Sequence, residues 1–525
     1  MAPFSKLLLT ISIFFFFLIL DTKAARLAAD DDQISRKMFE SLLEMKFPND
    51  MNRIDEILPG FVGHVSARKD TLTWEASCFR NNHATLEFNN RGKYGGGTLH
   101  IHVSEARWYE WYCSNIYIFA TPFNIHHDEY WKKGEHKVEF LWQEKAEYEF
   151  VKRRGISIFV LPSGPLDTVV AIDDFRKLFE NSDEGEKANV QFLKDYMNVS
   201  LEERPHPWVT ANINPDDIRS GDFLALSKIR GQSGGFESLE KWVTGSYAGH
   251  SAVCLRNPEG KLFVAESGRT IAGKDVVDVL PWEEWWDFEQ SNDEGNPHIA
   301  LLPLHPDVRA KFNETAAWEY AISLKGNPYG YHNVIFSWID TPKQNYPSRV
   351  DAHLVAAFMV MWNTINSNSA SRLWNEALNK RLGTQGLDFP GILVETEERG
   401  LNFSDILAIP ELDHWEYTDG KSVSCVAYVI RIYKAAGIFH PITNSIQATE
   451  FMVRDGYQVK LYEDDTSRLP KWCNNEKDKI KQPFCQIRGK YRMDLPGYNT
   501  IEPYPNMNER CPSLPPSYER EPKNC

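Results

Sequence analysis

The period of the hydrophobic pattern changes along the chain, and this change limits the folds that the sequence can adopt. Over the segment 61–165, apolar side chains alternate with polar ones, as at Leu99, Ile101 and Val103 and again in the run "ISIFVL" at Ile156–Leu161. Alternation with a period of two places successive side chains on opposite faces of a strand. The segment therefore predicts a β-rich, sandwich-like domain.

From residue 212 to residue 462, predicted strands and helices are interspersed. The runs "SAVCL" and "LFVAES" predict two strands joined by the turn "RNPEG", and the run that begins at Cys425 predicts a helix. Local hairpins with separate helices favour an α+β domain over a doubly wound sheet. The expected organisation is, in chain order, a signal peptide at 1–24, a helical segment at 25–60, the β-rich domain at 61–165, a helical linker at 166–211, the α+β domain at 212–462 and a disulfide-rich tail at 463–525.

The N-terminus has the pattern of a secretory signal peptide. Lys6 precedes an apolar run at Leu7–Leu20, and Thr22 and Ala24 then place small residues at the cleavage spacing. The run is shorter than the roughly 20 residues that a membrane-spanning helix needs, and an uncleaved N-terminal anchor is the alternative. We therefore expect a protein of the secretory pathway, extracellular or lumenal. Three glycosylation sequons agree with this expectation: Asn198, Asn313 and Asn402.

Export to an oxidising compartment favours disulfide bonds among the eight cysteines. Cys78 and Cys113 lie in the same strand-rich region and are expected to pair. The tail is too rich in proline and charge to bury a core alone, and it holds four cysteines that are expected to pair among themselves: Cys473, Cys485, Cys511 and Cys525. Cys254 and Cys425 then remain, and a bond between these two is an open alternative.

The formal net charge of −15 argues against nucleic acid and anionic membrane surfaces as partners. The sequence contains no HExxH motif, EF-hand loop, paired CxxC motif or glycine-rich nucleotide motif. We therefore expect neither a required metal nor a cofactor, so that any chemistry has to come from the side chains of the chain itself.

A histidine and a glutamate are predicted to meet across the hairpin that follows Tyr247. If "RNPEG" forms the whole turn, His250 opposes Glu266, and opposed residues have Cβ atoms about 5 Å apart. The Glu266 carboxylate would then orient the imidazole, as the acid of a catalytic triad does; an ordinary ion pair at a strand end is the alternative. Cys254 lies about 13 Å from His250 along the same strand, so a thiol activated by His250 must come from elsewhere.

Cys425 is the candidate thiol. In the run "TDGKSVSCVAYVIRIYKAAGIF", Ser422 or Ser424 can cap a helix, and Gly437 suits its C-terminal end. Cys425 then lies in the first helical turn, where the helix dipole and the free N–H groups lower the pKa of a thiol and can bind an oxyanion. A buried structural cysteine, or a disulfide partner, is the alternative interpretation.

The order of these motifs resembles that of the circularly permuted papain-like enzymes, which include the permuted NlpC-type hydrolases and the lecithin:retinol acyltransferases. In that branch a "GD" strand comes first, here "SGDFLAL" at Ser220–Leu226, and the histidine strand follows, here "AGHSAVCL". The next strand carries the acid, here in "VAES", and a later helix opens with the cysteine, here "SVSCVAYV". The run "NPYGYHNVIF" at Asn327–Phe336 resembles the stretch that precedes the cysteine helix. The resemblance covers residues 220–440. The insertion at 337–424 is longer than the family pattern has, and the β-rich domain and the tail have no counterpart in it.

The resemblance implies a permuted papain-like α+β domain in which Cys425 is the nucleophile, His250 the base and Glu266 the orienting acid, with Tyr247 and Ser251 lining the site. It further implies a secreted hydrolase or acyltransferase that acts on a peptide, an amide or an acyl ester through an acyl-enzyme at Cys425.

Two other functions remain open on the sequence. A non-catalytic secreted glycoprotein could keep a degenerate papain-like core and bind carbohydrate or protein through the β-rich domain. A lipid acyl-modifying enzyme could use the apolar run Leu354–Trp362 to contact acyl chains. The reactivity of the Cys425 thiol separates the enzyme from the binding protein, because a buried structural thiol is inert.

Overall fold

The computed structural model describes residues 58–66, 71–106, 114–130, 132–161, 174–210, 212–271, 273–291, 295–339, 351–418, 420–473, 482–505 and 507. The predicted signal peptide, most of the predicted helical segment at 25–60, and Cys113, Cys511 and Cys525 lie outside the described residues. The structure mixes helices with several sheets, and the pairings between its strands are antiparallel. This agrees with the expected α+β class at the level of mixed α and β structure.

Two four-stranded sheets make up most of the N-terminal part. Its elements are β1 (Gly60–Val65), β2 (Leu72–Trp74), β3 (Phe79–Arg80), β4 (Asn82–Asn89), β5 (Gly96–Val103), β6 (Glu105–Ala106), β7 (Asn115–Ala120), β8 (Ile125–Tyr130), β9 (Gly134–Leu141), helix α1 (Lys145–Arg153) and β10 (Ile156–Val160). The strand order is β1-β10-β7-β8 in one sheet and β2-β4-β5-β9 in the other, and β3 pairs with β6.

The alternation seen in the sequence corresponds to the burial of side chains in this region. On β5, Leu99 and Ile101 are fully buried while their neighbours are half-exposed. They share a core with Phe119 of β7 and Phe140 of β9, which belong to different sheets. The two sheets therefore pack face to face around one core, as in a sandwich.

A seven-stranded antiparallel sheet organises the rest of the chain. Its strands are β11 (Glu203–Val209), β12 (Phe223–Ser227), β13 (His250–Arg256), β14 (Leu262–Arg269), β15 (Asp275–Pro281), β16 (His298–Leu302) and β17 (Cys485–Tyr491). The order across the sheet is β11-β17-β16-β12-β13-β14-β15. Strands β12, β13 and β14 are therefore consecutive neighbours, and they carry the "GD", histidine and acid motifs.

The tail at 463–525 and the linker at 166–211 each contain a strand that the sequence analysis did not predict. Strands β17 and β11 extend the central sheet, and the linker also contains the helix Asp183–Met197. Strand β17 lacks the apolar alternation of an ordinary strand, because its buried positions include polar residues. Gln486 is buried through hydrogen bonds, including one from Arg204 Nη2 at 2.8 Å. Pairing between polar groups thus replaces the apolar alternation that marks an ordinary strand.

Helices surround the sheet and form the insertion. They are α2 (Asp183–Met197), α3 (Gly231–Thr244), α4 (Trp282–Ser291), α5 (Pro306–Arg309), α6 (Glu314–Ser323), α7 (Tyr331–Ile339), α8 (Ala352–Ile365), α9 (Ser367–Ala370), α10 (Glu376–Leu382), α11 (Phe389–Glu398), α12 (Phe403–Leu407), α13 (Cys425–Ala435) and α14 (Val453–Gln458), with a π-helical turn at Ser371–Asn375. Within the described ranges, no helix is long and apolar enough to cross a membrane.

The central sheet is buried on both faces. On one face, Val253 of β13 and Ala265 of β14 share a core with α13. On the other face, Cys254 and Val264 pack against the tryptophans of α4 and against the disulfide bond between Cys473 and Cys485. The helix that begins at Cys425 is therefore held against the same two strands that carry His250 and Glu266.

The position of β17 inside the central sheet can be tested by a cavity. Ile487 is fully buried in the core on the α4 face, so Ile487→Ala should lower the free energy of unfolding by about 2–5 kcal/mol, measured by urea denaturation. Ile322→Ala on α6 is the matched control, since that side chain is 41% exposed and should change stability by less than about 0.5 kcal/mol. Equal, small effects would mean that β17 is not part of the core.

Candidate active site

Helix α13 begins at Cys425, as the capping pattern predicts. The Ser424 side chain accepts a hydrogen bond from the Ala427 amide at 3.4 Å and so caps the helix. Cys425 is the first helical residue, and only 2% of it is exposed. The thiol therefore lies at the positive end of the helix dipole, next to amides that have no partner within the helix.

His250 and Glu266 form a hydrogen-bonded pair, but the register differs from the prediction. His250 Nε2 lies 3.0 Å from Glu266 Oε2, whereas the strand partner of Glu266 is Ala252. The turn is displaced by one residue from "RNPEG": Arg256 pairs with Leu262, so the connection is formed by residues 257–261, within which Asn257 N donates to Lys261 O at 3.0 Å. The register moves by two residues, which keeps His250 and Glu266 on one face and makes their contact diagonal.

This register requires a glycine beside the imidazole. A Cβ atom on Gly268 would lie 2.9 Å from His250 Cε1, closer than van der Waals contact allows. The missing side chain leaves room for the histidine ring beside β14, and the sequence pattern did not indicate this role.

The Cys425 thiol and the His250 imidazole lie close enough for each to shift the pKa of the other. Burial by itself raises the pKa of the Cys425 thiol, but the hydrogen bond and the charge of His250 outweigh it and lower that pKa below its usual value. Burial lowers the pKa of His250, yet its hydrogen bonds with Cys425 and Glu266 raise it well above its usual value. The two groups therefore favour a thiolate–imidazolium pair, with Glu266 holding the imidazolium.

Of the two flanking residues predicted to line the site, one does. The Ser251 hydroxyl and amide lie close enough to Cys425 to lower its pKa further. Tyr247 lies elsewhere: its ring packs beside Met197 and His298 at a separate small cavity, and its amide donates to the Tyr457 hydroxyl at 3.3 Å. Tyr247 precedes β13 and is not among the residues that line the cavity beside His250.

Tyr329 belongs to the site, although the sequence analysis gave it no role. It lies in the run "NPYGYHNVIF", and its backbone pairs with Val423, two residues before the thiol. Its hydroxyl is a hydrogen-bond partner of Cys425, and burial together with the nearby negative charges raises its pKa well above its usual value. Tyr329 therefore stays protonated and can donate a hydrogen bond beside the sulfur.

A buried carboxylate supports the segment that leads into α13. Asn333 of α7 accepts a hydrogen bond from Ser424 N at 3.0 Å and donates one to Glu411 Oε1 at 2.8 Å. Burial works against the Glu411 carboxylate, but the charges of His332 and Arg381 and the Tyr417 hydroxyl lower its pKa to about 2. Glu411 lies at the end of the helical insertion, so the insertion contributes directly to the support of the N-cap.

A cavity of about 180 Å³ opens beside His250 and Glu266. Tyr329 lines it, together with Glu240 of α3 and Glu289 of α4. The cavity reaches the imidazole of the thiol–imidazole pair, and its walls are rich in carboxylates.

Cys254 and Cys425 are both free thiols. Burial raises the pKa of Cys254 well above its usual value, and this thiol lies on the sheet face opposite Cys425. The alternative bond between these two cysteines is therefore not formed. Cys473 and Cys485 are bonded to each other, and Cys78 also forms a disulfide bond.

One compact group of metal-ligand side chains occurs among the described residues, at His305, Glu463 and Asp464. His305 Nδ1 accepts a hydrogen bond from Asp307 N at 3.2 Å, and Glu463 Oε1 accepts one from Asp465 N at 3.0 Å. These hydrogen bonds belong to two turns. We therefore interpret the group as structural and separate from the thiol site.

No family model, no curated protein and no solved structure matches this chain. The interpretation of the site therefore depends on its own geometry and chemistry.

The requirement for glycine at position 268 gives a sharp test of the site. Gly268→Ala should displace the imidazole and slow the alkylation of Cys425 by iodoacetamide about tenfold, the effect of one unit in the pKa of a thiol. Gly60→Ala is the matched control, since a Cβ there would meet only Val160 O at 3.7 Å. Peptide mass spectrometry measures the rate at Cys425 separately from Cys254. Equal rates in the two variants would contradict the placement of His250.

The pH dependence of the same alkylation tests the ion pair. Because His250 lowers the pKa of Cys425 and burial raises it, the wild-type rate should stay high at pH values where an ordinary thiol is protonated. In His250→Ala the burial effect alone remains, so the inflection should move to higher pH and the rate at neutral pH should fall by about tenfold or more. His100→Ala, a surface histidine of the β-rich domain, should leave the profile unchanged. An unchanged inflection in His250→Ala would exclude the pair.

Proposed function

We propose that this protein is a secreted thiol-dependent hydrolase or acyltransferase with a permuted papain-like core, which acts on an amide or ester bond through an acyl-enzyme at Cys425. The observation that carries the proposal is the contact between Cys425, the first residue of a helix, and His250, which Glu266 orients at 3.0 Å. The strand order β12-β13-β14 and the later cysteine helix support the permuted arrangement.

The first chemical step would be attack of the Cys425 thiolate on the carbonyl carbon of the substrate. The carbonyl π bond opens and its electron pair moves to oxygen, which gives a tetrahedral oxyanion. The Cys425 amide at the helix start and the Tyr329 hydroxyl are donors beside the sulfur. Both are fixed before the reaction, so their alignment costs little as charge develops.

Collapse of the oxyanion would then expel the leaving group. The His250 imidazolium donates its proton to the departing amine or alcohol, and a thioester remains on Cys425. In the second half of the reaction, neutral His250 takes a proton from water or from another acceptor as that acceptor attacks the thioester. The thiolate is released and takes its place beside the imidazolium again.

The two alternative functions receive less support. Helix α8, which was considered as an acyl-chain contact, buries Met359, Val360 and Trp362 in the core of the insertion and does not line the cavity beside His250. A purely binding protein would have no need for a thiol whose pKa is lowered by a histidine against the effect of burial.

Secretion is part of the proposal. The bond between Cys473 and Cys485 is the kind of linkage that persists in oxidising compartments. The three sequon asparagines, Asn198, Asn313 and Asn402, are exposed at helix ends, where an oligosaccharide could be attached.

An aryl ester that acylates thiols tests the proposed reaction. The wild-type protein should form a thioester on Cys425 that neutral hydroxylamine removes, and Cys425→Ala should form none. His250→Ala should react at least about 100-fold more slowly, the usual contribution of a general base. Glu266→Gln should lose less, because it keeps a hydrogen-bonding group and loses the charge. Intact and peptide mass spectrometry give the rates.

Cys254 is the internal control in each of these variants, since its buried thiol should remain unlabelled throughout. Acylation of Cys254, or equal acylation of Cys425 with and without His250, would contradict the proposed enzymatic function. The binding glycoprotein would then be the better interpretation.

A further inference from the structure

The cavity beside the thiol is lined by more acids than bases. The acids are Glu237, Glu240, Glu266, Asp275 and Glu289, and the bases besides His250 are Lys228 and Arg269. A substrate that enters this cavity therefore meets an excess of negative charge beside the imidazole that pairs with the reacting sulfur.

Three of these carboxylates already have partners. Glu266 holds His250 at 3.0 Å. Glu237 accepts a hydrogen bond from Lys228 N at 2.6 Å and lies 3.7 Å from Lys241 Nζ. Asp275 is a hydrogen-bond partner of the Tyr331 hydroxyl. These three groups are occupied in shaping the cavity itself.

The remaining two carboxyl groups are not satisfied in this way. Glu289 is only 3% exposed, and its Oε2 atom has no hydrogen-bond partner within the described residues. Glu240 has no ion pair among those residues, and its electrostatic neighbours include the Cys425 thiol and the Glu237 carboxylate. Burial and these two charges raise the pKa of Glu240 well above its usual value, although the charges of His250 and Lys241 oppose the shift. Burial also raises the pKa of Glu289. For both groups, burial outweighs the attraction of the positive charges nearby.

The positive neighbours of Glu289 are Lys228, His250 and Arg488, and the strongest of them, Lys228, is shared with other carboxylates. The charge of Lys228 favours ionised Glu289, and Lys228 also faces Glu237 and Glu266. Lys228 thus serves three carboxylates, and burial still raises the pKa of Glu289 despite its positive neighbours, so a further positive group would be stabilised in the cavity.

A metal ion is a poor match for this arrangement. The compact group of ligand atoms found within the described residues lies at His305, Glu463 and Asp464, and the cavity carboxylates do not form another. Divalent cations need several oxygens within about 2.6 Å of one point. A primary ammonium group on a flexible chain is a better match, because its three N–H donors can reach acceptors on different walls.

We propose that the cavity is a subsite for a primary ammonium group of the substrate, with Glu289 and Glu240 as its carboxylate partners. The proposal rests on the proposed function, because the ammonium group would belong to the molecule whose carbonyl Cys425 attacks. It names the substrate class as cationic amides or esters that carry a free amine.

Thiol reagents that share one reactive group and differ in charge test the subsite. The aminoethyl, trimethylammonioethyl, methyl and sulfonatoethyl methanethiosulfonates should be compared at Cys425, each rate divided by that with a free small thiol. The aminoethyl reagent should exceed the methyl reagent by about tenfold, the size of one charge-assisted hydrogen bond. The sulfonatoethyl reagent should be slower than the methyl reagent. The trimethylammonioethyl reagent should show less preference than the aminoethyl reagent, since it has no N–H donors.

Substitutions assign the preference to its residues. Glu289→Gln and Glu240→Gln should each bring the aminoethyl-to-methyl ratio close to one. Glu284→Gln is the matched control: it lies on the same helix and is exposed, and its ratio should equal that of the wild type. A ratio near one in the wild type, or a ratio that persists in both cavity variants, overturns the subsite and leaves the thiol function standing.

A second measurement does not depend on a reactive thiol. In Cys425→Ala, n-butylammonium chloride should raise the melting temperature, and n-butanol at the same concentration should not. The rise should disappear when Glu289→Gln is added to Cys425→Ala. A missing rise overturns the ammonium subsite. If the melting temperature rises but Cys425 of the wild type reacts with none of the four reagents, the ammonium subsite is supported and the proposed enzyme is excluded.

Discussion

The site depends on the contact between the Cys425 sulfur and the His250 imidazole. Burial alone would raise the pKa of the thiol and lower that of the histidine, so both groups would be neutral. Their mutual hydrogen bond reverses both shifts, and it can do so only if the geometry is fixed, because two buried charges are stable only when paired and hydrogen-bonded. The surrounding structure supplies that precision, through Glu266 on one side of the ring and the absence of a side chain at Gly268 on another.

The segment before the nucleophile is held from two sides. Val423 O accepts hydrogen bonds from Ser267 Oγ at 2.7 Å and from Gly330 N at 3.0 Å. Ser267 belongs to β14, the strand that carries Glu266, so the sheet that orients the histidine also positions the start of α13. Gly330 adjoins Tyr329, which ties the hydroxyl donor to the same carbonyl group. The thiol, the base and the donor therefore share one rigid frame.

Local patterns in the sequence were enough to predict the start of α13 and the approach of His250 to Glu266. Capping and helical spacing are local, and a shift of two residues leaves a side chain on the same face of a sheet, so the pair formed although the turn was misjudged. Strand β17 could not be predicted in the same way, because the partners of Gln486 lie far away in sequence. The role of Gly268 and the charges of Glu240 and Glu289 likewise depend on contacts between elements that no short window contains.

The helical insertion is more than an addition to the fold. Its core, around Trp374 and Phe389, is separate from that of the central sheet, but its last segment brings Glu411 behind the cap of α13. A fully buried carboxylate with a pKa of about 2 tolerates little displacement, since each partner that moved away would leave it uncompensated. Glu411 and its partners therefore have one stable arrangement. Asn333 links that arrangement to the Ser424 amide through a hydrogen bond. The packing of the insertion, which is remote from the cavity, therefore determines where helix α13 begins and where the Cys425 nucleophile lies.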